Sequence, residues 1–192
     1  MTPPLATHAR AASAAVRAEA AYRPCVGILL FNRRGQVWSG QRRPNLSRTV
    51  LAARVPTAQR WQFPQGGIDD GEAPLEAARR ELYEETGARS VRLLHAHEAW
   101  LHYDLPQTWR PQLFRGRYAG QKQKWFAFQF DGADSEFDLA HHAPPEFDAW
   151  RWARLEACPH HVIAFKRPLY EQLVQIFAPI AAAARRTRRT GP

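Results

Sequence analysis

Apolar and polar positions change period several times along the chain, and each change marks an element. Cys25 to Phe31 is a largely apolar run, Arg33-Arg34-Gly35 is a turn signal, and Gln36 to Gly40 reads as the returning strand of a hairpin. Val91 to Tyr103 has strand-like composition. Trp125 to Phe130 alternates, with Phe126, Phe128 and Phe130 on one face, and Phe147 to Ala153 supplies a further strand. At helical spacing, Leu75, Ala78, Leu82 and Thr86 share one side of a segment that Pro74 suits for a start and Gly87 for a left-handed stop. This predicts a helix from about Ala73 to Thr86. Leu169, Leu173, Ile176, Phe177 and Ile180 predict a closing helix over about Ala164 to Ala183, which Pro179 should kink or interrupt. Strands with a few helices, without regular βαβ alternation, place the chain in the α/β class in its α+β form, with a mixed sheet.

A chain of 192 residues that is 45% hydrophobic suits one compact domain with tails, and no apolar run approaches the roughly 18 residues that a membrane-spanning helix needs. Residues 1–21, rich in alanine with Arg10 and Arg17, read as a flexible extension. Residues 22–183 read as the domain, and 184–192 as a basic disordered tail. Cys25 and Cys158 are too few for a disulfide framework and lack metal-ligand spacing, so they read as buried, inert thiols in a cytoplasmic protein. The eight histidines show no ligand pattern. Net charge is +9, of which Arg185, Arg186, Arg188 and Arg189 supply four, so the body of the chain is basic in its own right and suits anionic partners.

Chemistry concentrates between Trp61 and Ala88, where a turn containing Gly66, Gly67 and Gly71 feeds a helix with Glu81, Glu84 and Glu85 on the flank beside its apolar face. Arg80 lies four residues from both Glu76 and Glu84 and predicts an ordinary ladder of ion pairs. Glu81 and Glu85 form a like-charge i,i+4 pair outside it, which costs roughly 0.2 to 0.5 kcal/mol on an isolated helix. A hard divalent cation, Mg²⁺ first and Mn²⁺ as the alternative, answers that repulsion with oxygen ligands from Glu81, Glu84 and Glu85.

The spacing Gly66, Glu72, Arg80-Glu81, Glu84-Glu85, Gly87 reproduces the fixed positions of the Nudix signature, so the chain resembles the Nudix hydrolases. YRPCVGILLFN, WQFPQGGI, GQKQKWF, PEFDAWRW and AFKRPLY narrow the likeness to bacterial RNA pyrophosphohydrolases and the overlapping dinucleoside polyphosphate hydrolases. The resemblance implies an α/β/α sandwich. It also implies metal-dependent removal of pyrophosphate from 5′-triphosphorylated RNA, which promotes mRNA decay. Hydrolysis of dinucleoside polyphosphates such as diadenosine tetraphosphate is the alternative, and a non-catalytic RNA-binding module is the third reading. It carries phosphate and nucleotide contacts onto Arg23, Arg42, Gln121, Lys122, Phe165 and Lys166. It leaves Glu85 and Glu146 as contenders for general base, with Arg80 orienting the carboxylates and Glu72 either a structural acid, the preferred reading, or an aid to metal binding through water. Trp61, Phe63, Trp125 and Trp150 read as core. One departure from the relatives is an insertion of about residues 43–60, whose Arg48, Arg54 and Arg60 extend the RNA channel if the loop lies beside it.

Overall fold

The computed structural model describes residues 22–44 and 55–186. The expected N-terminal extension, the middle of the insertion with Arg48 and Arg54, and the last six residues of the basic tail lie outside the described residues.

Among those residues, eight strands form one mixed sheet. They are β1 (Tyr22–Phe31), β2 (Val37–Arg42), β3 (Trp61–Gln62), β4 (Gln65–Gly67), β5 (Val91–Ala96), β6 (Leu101–Asp104), β7 (Gly120–Phe130) and β8 (Phe147–Ala153). The centre is a parallel pairing of β1 with β7 that runs from Tyr22 opposite Gly120 to Phe31 opposite Gln129. The remaining pairings are antiparallel: β5 and β6 on the far edge of β7, β4 on the first half of β1, and β3 and β8 on β2. Helix α1 (Pro74–Thr86) follows β4, and α2 (Arg167–Arg186) closes the fold.

Strand alternation divides the core into two layers. Val26, Ile28 and Leu30 of β1 join Phe126, Phe128 and Phe130 of β7 against Ala77, Ala78 and Leu82 of α1. Leu29, Phe31, Trp125 and Ala127 point the other way, onto Leu169, Tyr170, Leu173 and Phe177 of α2. The sheet is thereby sandwiched between helices. At Gly27, a Cβ would stand 2.5 Å from the Trp125 ring, so only glycine lets that indole lie flat across the central pair.

Several boundaries differ from the sequence reading. The Val91–Tyr103 stretch is two strands, because residues 97–100 bend away before the chain returns to the long edge of β7. The closing helix begins at Arg167, after a 3₁₀ turn at Ala164–Lys166. Pro168 falls in the first turn of the helix, where its missing N–H leaves no intrahelical bond unmade. Pro179 does not end the helix, which continues as one element to Arg186, past the expected start of the tail. Cys25 and Cys158 are buried, and burial foremost pushes their thiols up to about 11 and about 12, so both are inert near neutral pH.

One buried hydrogen bond fixes the approach to the glycine turn. The Tyr170 hydroxyl of α2 accepts from the Phe63 backbone N–H at 2.9 Å, while the two rings stack with centroids 4.7 Å apart. Tyr170→Phe keeps the stacking and orphans that N–H, so it should cost about 1 to 3 kcal/mol. Urea unfolding with an unchanged m-value checks this; equal midpoints for both proteins would contradict it.

Candidate metal and phosphate site

Helix α1 starts after Ala73, with Pro74 in its first turn, and stops at Gly87, which adopts φ 76° and donates its N–H to the Tyr83 carbonyl. Its polar flank is organised by a single side chain. Arg80 donates from Nε and Nη2 to the two oxygens of Glu72 at 2.8 Å each. Its Nη1 donates to Glu81 at 2.8 Å and Glu84 at 3.2 Å, and Nη2 also reaches the Gly67 carbonyl at 3.0 Å. The expected ladder is therefore redrawn. Arg80 turns back over the glycine turn to Glu72 where a pairing with Glu76 was expected, and Glu81 belongs to the Arg80 network instead of standing apart from it. Arg80 first, and then the Asp69 N–H, hold the Glu72 carboxyl down at about 2.

Gly66 lets this arrangement close, because a Cβ there would overlap the Glu81 carboxylate. Glu85 is buried one turn further on and accepts from the Gln65 N–H at 3.0 Å. Burial, followed by repulsion from Glu146 and Glu81, raises its carboxyl well above the usual range. Burial likewise raises Glu81, against the pull of Arg80. Glu146, just before β8, pairs with Arg42 at the end of β2 at 2.8 Å. The two contenders for general base and one expected phosphate contact thus lie in a single electrostatic neighbourhood.

Among the described residues, no three His, Cys, Asp or Glu side chains stand at metal-ligand spacing. The reason is visible in the partners: Arg80 holds Glu81 and Glu84, and the Gln65 amide holds Glu85. The donors still fit a hard divalent cation. They are oxygen-only, Glu81 and Glu85 are desolvated, and like charge raises both, which a cation relieves.

Beside the carboxylates opens a cavity of about 850 Å³. Arg23, Arg42, Gln121, Phe165 and Lys166, onto which the resemblance carries phosphate and nucleotide contacts, all line it. So does Arg60 at the end of the insertion. Lys122 does not: alternation on β7 turns it away from Gln121 and Gln123, and its ammonium lies 5.3 Å from the Trp100 ring. Of the tryptophans expected in the core, Trp125 is fully buried and Trp150 stacks on Trp38. Trp61 instead faces the cavity, beneath the Arg151 guanidinium at 4.0 Å.

Lys166 is buried at the cavity floor, and its Nζ donates to Gln65 Oε1 at 3.0 Å and Gln62 Oε1 at 3.4 Å. Burial first, then the charge of Arg42, push its ammonium down to about 7. The charged ammonium can only donate, and with Oε1 turned to it the buried Gln62 Nε2 is left without a partner beside the cavity. Sequence reasoning passed over Gln62, Gln65 and Tyr103. It also passed over the connection from Leu105 to Tyr118, whose Trp109, Phe114 and Tyr118 are interleaved with Arg110, Arg115 and Arg117. That interleaving was the available signal, since neither strand nor helix periodicity explains it.

The sequence model described as NUDIX domain matches residues 21–173. RNA pyrophosphohydrolase of Bartonella clarridgeiae is 48% identical over 161 residues, covering 81% of this chain and 90% of that protein. RNA pyrophosphohydrolase of Rhizobium meliloti is also 48% identical, over 162 residues, covering 82% and 93%. In fold, the chain is similar to the E. coli dihydroneopterin triphosphate pyrophosphohydrolase, with a TM-score of 0.57 at 18% identity over 80% of this chain and 97% of that one. With Glu72, Glu81, Glu84 and the glycine turn gathered around Arg80, these likenesses establish that the chain belongs to the Nudix family.

Proposed function

We propose that this protein removes pyrophosphate from 5′-triphosphorylated RNA, leaving a 5′-monophosphate end open to ribonucleases, with a divalent cation, Mg²⁺ first and Mn²⁺ as the alternative. The observation that carries the reading is the division of charge. A cluster of carboxylates, with Glu81 and Glu85 desolvated, adjoins a cavity lined by Arg23, Arg42, Arg43, Arg60, Arg115, Arg117 and Lys166, with no Asp or Glu among its described lining residues. The names of the relatives at 48% identity support it.

A divalent cation held by Glu81, Glu84 and Glu85 supplies neutralisation of charge on the phosphate oxygens. Arg80 keeps Glu81 and Glu84 aimed, and Gly66 gives Glu81 the room to sit against the turn. Arg23, Arg42 and Lys166 bind the polyphosphate as point and forked donors. The Gln62 amide nitrogen adds a neutral donor from the floor. Phosphate binding frees Glu146 from Arg42, so Glu146 and the buried Glu85 are the two bases placed to accept a proton from attacking water. Phe165 stacks the terminal base.

Incubating a 5′-triphosphorylated oligonucleotide with the protein and Mg²⁺ should give pyrophosphate and the 5′-monophosphate product. Failure to form both would refute the proposal. Gly66→Ala should fold normally yet lose about a hundredfold in kcat, because displacing one carboxylate by about an ångström disrupts the reacting geometry. Unaltered kcat in a folded variant would contradict the role given to that close approach.

Lys166 generates a separate expectation with a definite sign. In the free protein it is neutral above about pH 7, against an ordinary value of 10.5, and a bound polyanion restores the charged form. Binding of a 5′-monophosphate oligonucleotide at pH 8 should therefore take up a proton. Calorimetry in buffers of differing ionisation enthalpy should show uptake in the native protein and none in Lys166→Arg. Equal uptake in both would place the proton elsewhere.

A further inference from the structure

We infer that Lys166 is a nucleophilic lysine, the site at which acyl phosphates acylate this protein and thereby remove a cation from the floor of the cavity. The inference goes beyond the proposed reaction, in which Lys166 only binds phosphate, and it gives the same cavity a second chemistry. Residue type is the first observation behind it. Of the 27 lysines and arginines in the chain, only Lys122, Lys124 and Lys166 are lysines, and every other cation among the described residues lining the cavity is an arginine. A guanidinium stays charged in proteins, whereas a buried lysine sheds its proton readily and becomes a nucleophile.

The second observation is how the amine is held. Its Nζ donates to two neutral amide oxygens, Gln65 Oε1 at 3.0 Å and Gln62 Oε1 at 3.4 Å, and lies 5.2 Å from the Tyr103 ring. Those two oxygens account for both N–H groups of a neutral amine and leave its lone pair for a carbonyl carbon. Burial and the charge of Arg42 on β2 outweigh Cys25 of β1, Glu85 of α1 and Glu146 before β8, and hold the group at about 7. The third observation is the other end of Gln62. Its Nε2 is buried without a partner, on the same amide whose oxygen accepts from Lys166, so a donor is at hand for a carbonyl oxygen as it gains charge. Arg23 and Arg42 line the same cavity and suit a phosphate dianion. An acyl phosphate matches this set, because the arginines take its charged end and its neutral carbonyl is left to the amine. In the step, the Nζ lone pair forms the C–N bond and the carbon–oxygen bond to phosphate breaks. Phosphate leaves with that electron pair, and the amine proton passes to it. The resulting amide carries no charge.

The test treats the native protein, with Mg²⁺ at pH 7, with acetyl phosphate and follows acetylation of the three lysines by peptide mass spectrometry. Lys166 should react about tenfold faster than Lys122 or Lys124, a margin set well inside the roughly 3,000-fold gain in neutral amine that a fall from 10.5 to about 7 brings. A 5′-monophosphate oligonucleotide should protect Lys166 and leave the other two unaffected. Acetic anhydride, which has no phosphate for the arginines to hold, should show a smaller preference for Lys166. Protein acetylated there should bind the oligonucleotide about tenfold more weakly, for the loss of one charged hydrogen-bond donor. Equal rates at the three lysines, an undiminished preference with acetic anhydride, or unchanged oligonucleotide affinity after acetylation would overturn the inference. The two failures remain distinct, because the mass readout needs no turnover of RNA. Selective acetylation without release of pyrophosphate sinks the proposed reaction alone, whereas turnover of 5′-triphosphorylated RNA without selective acetylation sinks this inference alone.

Discussion

Five contacts made by one guanidinium hold the site together. Arg80 ties helix α1 to the glycine turn through Glu72 and the Gly67 carbonyl, and ties Glu81 and Glu84 to the same point. Without it, three glutamates on adjacent turns would repel one another and the turn would lack its anchor to the helix. A planar, permanently charged fork can satisfy several carboxylates and a carbonyl together, which a lysine ammonium cannot do in the same geometry. The two-layer core then fixes where this assembly stands, since Ala77, Ala78 and Leu82 seat the opposite side of α1 on β1 and β7.

The electrostatic order of the site follows from separation across the sheet. Carboxylates gather on and beside α1, where burial and mutual repulsion raise Glu81 and Glu85. Cations gather on the α2 side, where burial lowers Lys166 to about 7. The Arg42–Glu146 pair bridges the two populations at 2.8 Å. Burial raises the Glu81 and Glu85 carboxyls and lowers the Lys166 ammonium, and a phosphate-rich ligand with its counter-cation would relieve both sides together.

The two-layer fold was legible because β1 carries an unbroken apolar run, as a strand covered on both faces must, and α1 carries clear start and stop residues. The carboxylates were legible because their spacing on a helix is rigid. Pairings that depend on long side chains were not. Arg80 reaches eight residues back to Glu72, which an i,i+4 rule does not anticipate, and Lys122 falls on the wrong face of β7 although its neighbour Gln121 falls on the right one. The wall from Leu105 to Tyr118 was invisible to periodicity because its 3₁₀ turns and left-handed residues follow neither a period of 2 nor one of 3.6. Its alternation of rings and arginines was the chemical trace. Similarly, Trp61 reads as core by composition, and only the tertiary fold turns it toward the cavity and under Arg151.

The central claim is that this cavity is made for the 5′ end of a polynucleotide, with the carboxylate wall supplying the chemistry. Competition in one vessel tests it most directly: a 5′-triphosphorylated oligonucleotide and diadenosine tetraphosphate at equal concentration with Mg²⁺, with both products followed over the same time course. The account predicts that the oligonucleotide is consumed first and that the ratio of kcat/KM values favours it. Marked preference for the dinucleotide would contradict the account while leaving the Nudix fold and its Arg80-centred site intact.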